Sequence, residues 1–190
     1  MTHDDVLALF RRSGALLEGH FRLSSGLHSP GYLQSALVLQ HPAEAARLGA
    51  ALADRLRGAS PTVVLSPALG GIVIGYEVAR ALGVRALFAE RQDGRLTLRR
   101  GFVLEPDDRV VVVEDVVTTG LSTRETMEVA RQAGSTVVAA GAIVDRSGGR
   151  AELGVPLSAL VSVSLPTYEE ASCPLCAQGV PVVKPGSRSK

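Results

Sequence analysis

Three observations in the sequence predict an α/β fold in which a parallel sheet is flanked by helices. From residue 62 onward, short β-branched runs alternate with helix-length amphipathic segments. The run Val110 to Val113 is β-branched at every position, the pattern of a strand buried on both faces. Turns rich in glycine and hydroxyl residues follow several of these strands, at Ser66 to Gly71, Thr118 to Ser122 and Asp145 to Gly149.

The elements are predicted in order as follows. A helix runs near Asp4 to Ser13, an irregular segment occupies Glu18 to Gln40, and a second helix runs from Ala43 to Leu56. Strand Thr62 to Ser66 then leads to helix Ile72 to Leu82 and strand Arg85 to Ala89. A basic excursion, Glu90 to Phe102, precedes the central strand, and within it T-L-R-R-G-F alternates like the arm of a hairpin. Glu114 and Asp115 are expected where the central strand ends. Ser122 and Glu125 form an S-x-x-E capping box that would open a helix to about Ala133. Strands Thr136 to Val144 and Leu157 to Ser164 complete the series, and the terminal PGSRSK is predicted to be disordered.

At 190 residues the chain suits one domain with a substantial core, and its 46% hydrophobic content and 20 glycines fit a compact α/β protein. A net charge of +1 disfavours nucleic-acid binding through a general basic field. The N-terminus is acidic and then amphipathic, and no apolar run approaches the roughly 18 residues of a membrane span. A cytoplasmic protein without membrane partners is therefore expected. Cys173 and Cys176, the only cysteines, lie in one C-x-x-C and cannot staple distant parts of the fold. Buried reduced thiols or an exposed turn are the favoured reading, since a metal centre of zinc-knuckle spacing would need histidines or another subunit to complete it.

Chemistry concentrates in VVVVEDVVTTGLST, Val110 to Thr123. A helix N-terminus there would offer unpaired N–H groups and a positive dipole end to a phosphate, while two carboxylates accept from sugar hydroxyls. The pair Glu114 and Asp115 is alternatively two solvated acids or a divalent-metal site. A Walker loop is excluded because Tyr76 stands where lysine must follow the Gly70 and Gly75 spacing, and no G-x-G-x-x-G opens a helix. Ser66 to Gly71 supplies a second anion loop, so that the two together suit a sugar with phosphates at opposite ends. The basic excursion, with Arg91, Arg95, Arg99 and Arg100, reads as a mobile lid or a solvated hairpin. Arg146 offers a rigid fork to a carboxylate or imide edge, or a surface salt bridge to Asp145. FRLSSGLHSPGYL, Phe21 to Leu33, reads as a hood over a small ligand, with Tyr32 stacking on a planar ring and His28 facing solvent.

EDVVTTGLS resembles the phosphoribosyl diphosphate signature of the type I phosphoribosyltransferases. Together with SSGLHSPGYL upstream and IVDRSGG downstream, it resembles the orotate phosphoribosyltransferase family over roughly residues 5 to 165. The resemblance implies a Rossmann-like type I fold over 1–190, in which 1–40 supply the first helix and a small hood and 165–190 a tail carrying C-x-x-C. It implies an enzyme of de novo pyrimidine biosynthesis that moves phosphoribosyl from phosphoribosyl diphosphate to N1 of orotate. Glu114, Asp115 and Arg91 would be catalytic. The sugar diphosphate would meet Ala68, Leu69, Gly70, Arg91, Glu114, Asp115, Val116, Val117, Thr118, Thr119, Gly120, Leu121 and Ser122. Orotate would meet Ser25, Gly26, Tyr32, Thr118 and Arg146. Mg2+ would arrive on the sugar diphosphate, and a homodimer would complete each site with the neighbour's loop. Two positions depart from the family pattern: Ser24 stands where better-known members have lysine, and the loop carries only arginines, of which Arg91 matches best. A purine-base phosphoribosyltransferase and a sugar-diphosphate-sensing regulator are the alternatives.

Overall fold

The computed structural model describes residues 1–23 and 25–185; Ser24 and residues 186–190, and with them most of the expected disordered terminus, lie outside the described residues. Helix α1 (His3–Arg12) starts on a capping box in which Thr2 and Asp5 exchange hydrogen bonds, with Asp4 and Asp5 at its positive end and Arg11 and Arg12 at its negative one. The segment expected to be irregular is instead an antiparallel hairpin, β1 (Leu16–Arg22) and β2 (His28–Leu33), followed by the short helix α2 (Ala36–Leu39). Its alternation is masked by a register shift between Glu18 and Phe21. Helix α3 (Pro42–Leu56) has proline in its first turn, where a missing N–H costs nothing, and buries Ala45, Leu48, Leu52, Ala53 and Leu56 along one face.

The main sheet contains β3 (Val63–Pro67), β4 (Arg85–Gln92), β5 (Arg95–Leu98), β6 (Arg109–Val117), β7 (Thr136–Asp145) and β8 (Leu157–Ser162), in the spatial order β5-β4-β3-β6-β7-β8. Five strands are parallel and β5 runs antiparallel at the edge. The hairpin arm expected from Thr97 onward is thus Arg95–Leu98, folded back on the end of β4 through Asp93 and Gly94, both at positive φ. Helix α4 (Gly70–Leu82) joins β3 to β4 and α5 (Leu121–Gln132) joins β6 to β7.

The pleat divides the core. Val111 and Val113 point to the face covered by α1, α3 and α4, whereas Val110 and Val112 point to the face covered by α5 with Met127 and Ala130. Gly49 lets α3 lie directly on α4, since a Cβ there would stand 2.5 Å from the Cβ of Glu77. Beyond β8 the chain turns back along the hood: Val183 and Arg22 share a backbone bond of 2.8 Å, and His28 and Tyr168 exchange two. A one-turn helix, α6 (Pro174–Ala177), carries the C-x-x-C there. No helix of the described residues is long and apolar enough to cross a membrane.

Candidate active site

The chain leaves β3 toward β4 on one side and returns to β6 on the other, which makes the gap between β3 and β6 the switch point of the sheet. The loops after those two strands lie side by side at their carboxyl ends, where open α/β sheets carry their ligand-binding crevice. After β3, Ala68 and Leu69 form a turn, with Leu69 exposed, and Gly70 opens α4. After β6, Thr118 and Thr119 are exposed and Gly120 adopts φ 74° as the N-cap of α5. Among the described residues, no backbone carbonyl takes the amides of Thr118, Thr119 and Gly120, which leaves three donors free beside the positive end of α5, where an anion is favoured.

Glu114 and Asp115 lie inside β6, not at its end, because Val116 and Val117 continue the pairing with β7 as far as Asp145. Consecutive strand residues face opposite sides, and this separates the two acids. Glu114 points to the α5 face, is buried, and accepts hydrogen bonds from the hydroxyls of Ser122 (2.7 Å) and Thr123 (2.6 Å). The expected capping box is therefore absent: Gly120 caps the helix without a side-chain bond, Ser122 turns its hydroxyl to Glu114, and Glu125 pairs with Arg91 at 2.5 Å. Thr123, fully buried, is a further residue of the site, and nothing local in sequence marks a hydroxyl whose partner is nine residues away on a strand.

Burial pushes the Glu114 carboxyl up from 4.5 to about 7, against the opposing pull of the Thr123 and Ser122 hydroxyls. A raised carboxyl favours the protonated group in the folded state, so its contribution to stability is full below pH 4.5 and is lost as pH rises to about 7. Relative to Glu114→Gln, the native chain should lose about 3 kcal/mol of unfolding free energy across that window. Urea unfolding of both proteins at several pH values measures the difference; a gap that stays constant with pH would refute it.

Asp115 points to the opposite face, where a Cβ on Gly70 would stand 2.8 Å from its Oδ1. The bare Gly70 backbone is what leaves room for this carboxylate at the crevice. Burial raises its pKa, opposed by the backbone N–H of Val116. Tyr32, half-buried on β2, has its pKa raised first by burial and then by the Asp115 carboxylate, with the Arg146 guanidinium opposing, so both charges lie within electrostatic reach of its phenol. Arg146 follows β7, its amide bonded to the carbonyl of Val117 at 2.8 Å. Asp145 does not take its guanidinium: that carboxylate accepts from the amides of Ser147 (2.7 Å) and Gly149 (3.3 Å) and shapes the turn. Among the described residues the buried Nε of Arg146 has no hydrogen-bond partner, and desolvation lowers the pKa of the group.

Ser25 and Gly26 sit in the tight turn of the hood, closed by Leu23 N–H to Leu27 O at 2.8 Å. Arg91, which the resemblance makes catalytic, lies near the end of β4 and donates to Glu125 and to the carbonyl of Gly94 (2.6 Å). Arg100 is paired with Glu90 and stacked over Phe88, while Arg95 and Arg99 stand exposed. His28 is buried, contrary to the solvent-facing position expected, because the returning tail covers it.

The Phosphoribosyl transferase domain profile matches residues 35–155. The chain is 56% identical to the orotate phosphoribosyltransferase of Pelotomaculum thermopropionicum over 99% of both chains, and 55% identical to that of Carboxydothermus hydrogenoformans over 97% of both. It belongs to the orotate phosphoribosyltransferase family. The crystal structure of orotate phosphoribosyltransferase from Aeropyrum pernix superposes with a TM-score of 0.69 at 29% identity, covering 83% of this chain and 93% of that one. The profile spans the loops after β3 and β6, Asp115 and Arg146, and leaves the hood and tail outside; the end-to-end match to orotate phosphoribosyltransferases includes them.

Proposed function

We propose that this chain transfers 5-phosphoribosyl from phosphoribosyl diphosphate to N1 of orotate, giving orotidine 5′-monophosphate and diphosphate. The observation that carries the substrate is the buried Arg146 Nε without a partner, grouped with Tyr32 and Asp115 beside the crevice. A guanidinium fork without its own counter-ion suits a planar acid such as orotate, whose ring Tyr32 would cover. Ser25, Gly26 and Thr118 would complete that pocket.

In this reading the amides of Thr118 to Ser122 hold the 5′-phosphate, with Val116 and Val117 fixing the loop, and Ala68 to Gly70 hold the diphosphate. Asp115 accepts from the ribose hydroxyls. Glu114, both of whose oxygens are engaged by Ser122 and Thr123, acts on the sugar through the loop it anchors. Orotate N1, its proton lost, attacks the anomeric carbon as the bond to the diphosphate oxygen breaks, with inversion. The positive charge that develops on the ribose is stabilised by Asp115. Mg2+ would arrive on the diphosphate, where Asp115 could offer it a hard carboxylate oxygen, and would supply charge neutralisation to the leaving group. We place this chemistry in a cytoplasmic homodimer in which the β4–β5 hairpin reaches the neighbour's site. Arg91 would then exchange Glu125 for the departing diphosphate.

Incubation with orotate, phosphoribosyl diphosphate and Mg2+ should remove orotate absorbance in step with diphosphate release. Unchanged orotate absorbance, with consumption of the sugar diphosphate on adding guanine, hypoxanthine or adenine, would overturn the assignment.

A further inference from the structure

Four side chains that take no part in the proposed reaction meet between the hood and the tail: His20 of β1, His28 at the start of β2, and Cys173 and Cys176 around α6. One donor atom from each lies within 4.8 Å of all the others. His20, His28 and Cys173 are each no more than 3% exposed, and Cys176 is half-buried. The cysteines are separated from the histidines by more than 140 residues, so that only folding of the tail onto the hood brings them together.

The tautomer of His20 follows from its surroundings. Its Nδ1 lies 2.7 Å from the carbonyl oxygen of Val180, which can only accept, so Nδ1 carries the proton and Nε2 presents a lone pair to the cluster. Orientation of one ring nitrogen by a backbone carbonyl is how ligating histidines are held. Around that lone pair stand His28 Nδ1 at 2.8 Å, Cys173 Sγ at 3.5 Å and Cys176 Sγ at 3.7 Å, and Cys176 Sγ lies 3.2 Å from His28 Nδ1. Four ligands on one tetrahedral zinc, with bonds of about 2.0 Å to nitrogen and 2.3 Å to sulfur, stand roughly 3.3 to 3.8 Å apart. Closing the cluster on an ion therefore requires shifts of about 1 Å or less. Pairwise hydrogen bonds explain single contacts, whereas convergence of two nitrogens and two sulfurs on one point is the arrangement a cation requires.

We propose that these four residues form a structural Zn2+ site. Two imidazoles and two thiolates match the borderline-soft preference of zinc, and four protein ligands leave no open position for catalysis. Binding releases the thiol protons and joins β1, β2 and α6 through one ion, reinforcing the backbone bonds that already tie Arg22 to Val183 and His28 to Tyr168. The site clamps the tail to the hood that carries Ser25, Gly26 and Tyr32. The inference stands on these side chains alone and is independent of the substrate.

The test uses untagged full-length protein purified without chelator. Elemental analysis should find one zinc per chain. The protein refolded with Co2+ should show tetrahedral d–d and thiolate charge-transfer absorption, and Cys173→Ser with Cys176→Ser should abolish both the bands and the zinc. Stripping zinc from the native chain should lower Tm by more than about 5 °C, restored by one equivalent of Zn2+. Less than about 0.2 equivalents bound after titration of reduced, folded protein would overturn the site. Zinc retained by the double variant, or a Cys173–Cys176 disulfide as the stable form in the absence of reductant, would overturn it equally.

Discussion

Asp115→Asn should lower kcat by about 100-fold while leaving Tm unchanged or slightly raised. The two halves of this expectation come from one fact: the carboxylate is placed where the fold gains nothing from its charge. Burial raises its pKa, so at neutral pH ionised Asp115 costs stability, and an isosteric amide removes that cost. Gly70 approaches it with no side chain, and a Cβ there would have to displace the carboxylate. In the proposed reaction the same charge would face the carbon on which positive charge develops during transfer. Removal of one preorganised electrostatic partner of a transition state costs on the order of 100-fold or more in kcat. Initial rates and thermal melts of the variant measure both halves. A loss below about 5-fold would remove Asp115 from the reaction, and a collapse of Tm would make it a structural residue.

The main sheet was legible because its strands are buried on both faces, and a run such as Val110 to Val113 admits little else. Periodicity could not find the strand's end. Val116 and Val117 carry β6 two residues beyond the acids, and it is this extension that sets Glu114 and Asp115 on opposite faces. The capping-box pattern at Ser122 and Glu125 is present in sequence, but helix α5 begins at Leu121 behind a left-handed Gly120, so that Ser122 lies within the first turn. The hood was read as irregular for a different reason. Its strands contain Gly19, Gly31 and Pro30, and they are supported by residues 168 and 183, contacts no local window contains. Nothing local marks His20 or shows that His28 is buried, as the tail that covers both is more than 130 residues away. The partner of Arg91 is equally invisible to a local window, because Glu125 sits on a helix three elements later.

Arg146→Ala should raise the KM for orotate by roughly 10- to 100-fold, the range of a lost charge-assisted hydrogen bond, and change that for phosphoribosyl diphosphate less than about 3-fold. The split is the informative quantity, because any general disturbance of the β7 turn would move both constants. That turn does not depend on the guanidinium: Asp145 holds it through the amides of Ser147 and Gly149. The guanidinium is kept cationic at a desolvation cost, with a buried Nε that nothing in the described chain satisfies. Alanine should therefore fold at least as well as arginine, and Tm should not fall. Arg146→Lys separates charge from shape. A lysine restores a point charge without the planar fork, so it should recover only part of the orotate affinity if two parallel N–H groups meet the carboxylate. Equal increases in both KM values would take Arg146 out of the base pocket, and full rescue by lysine would replace bidentate recognition with charge alone.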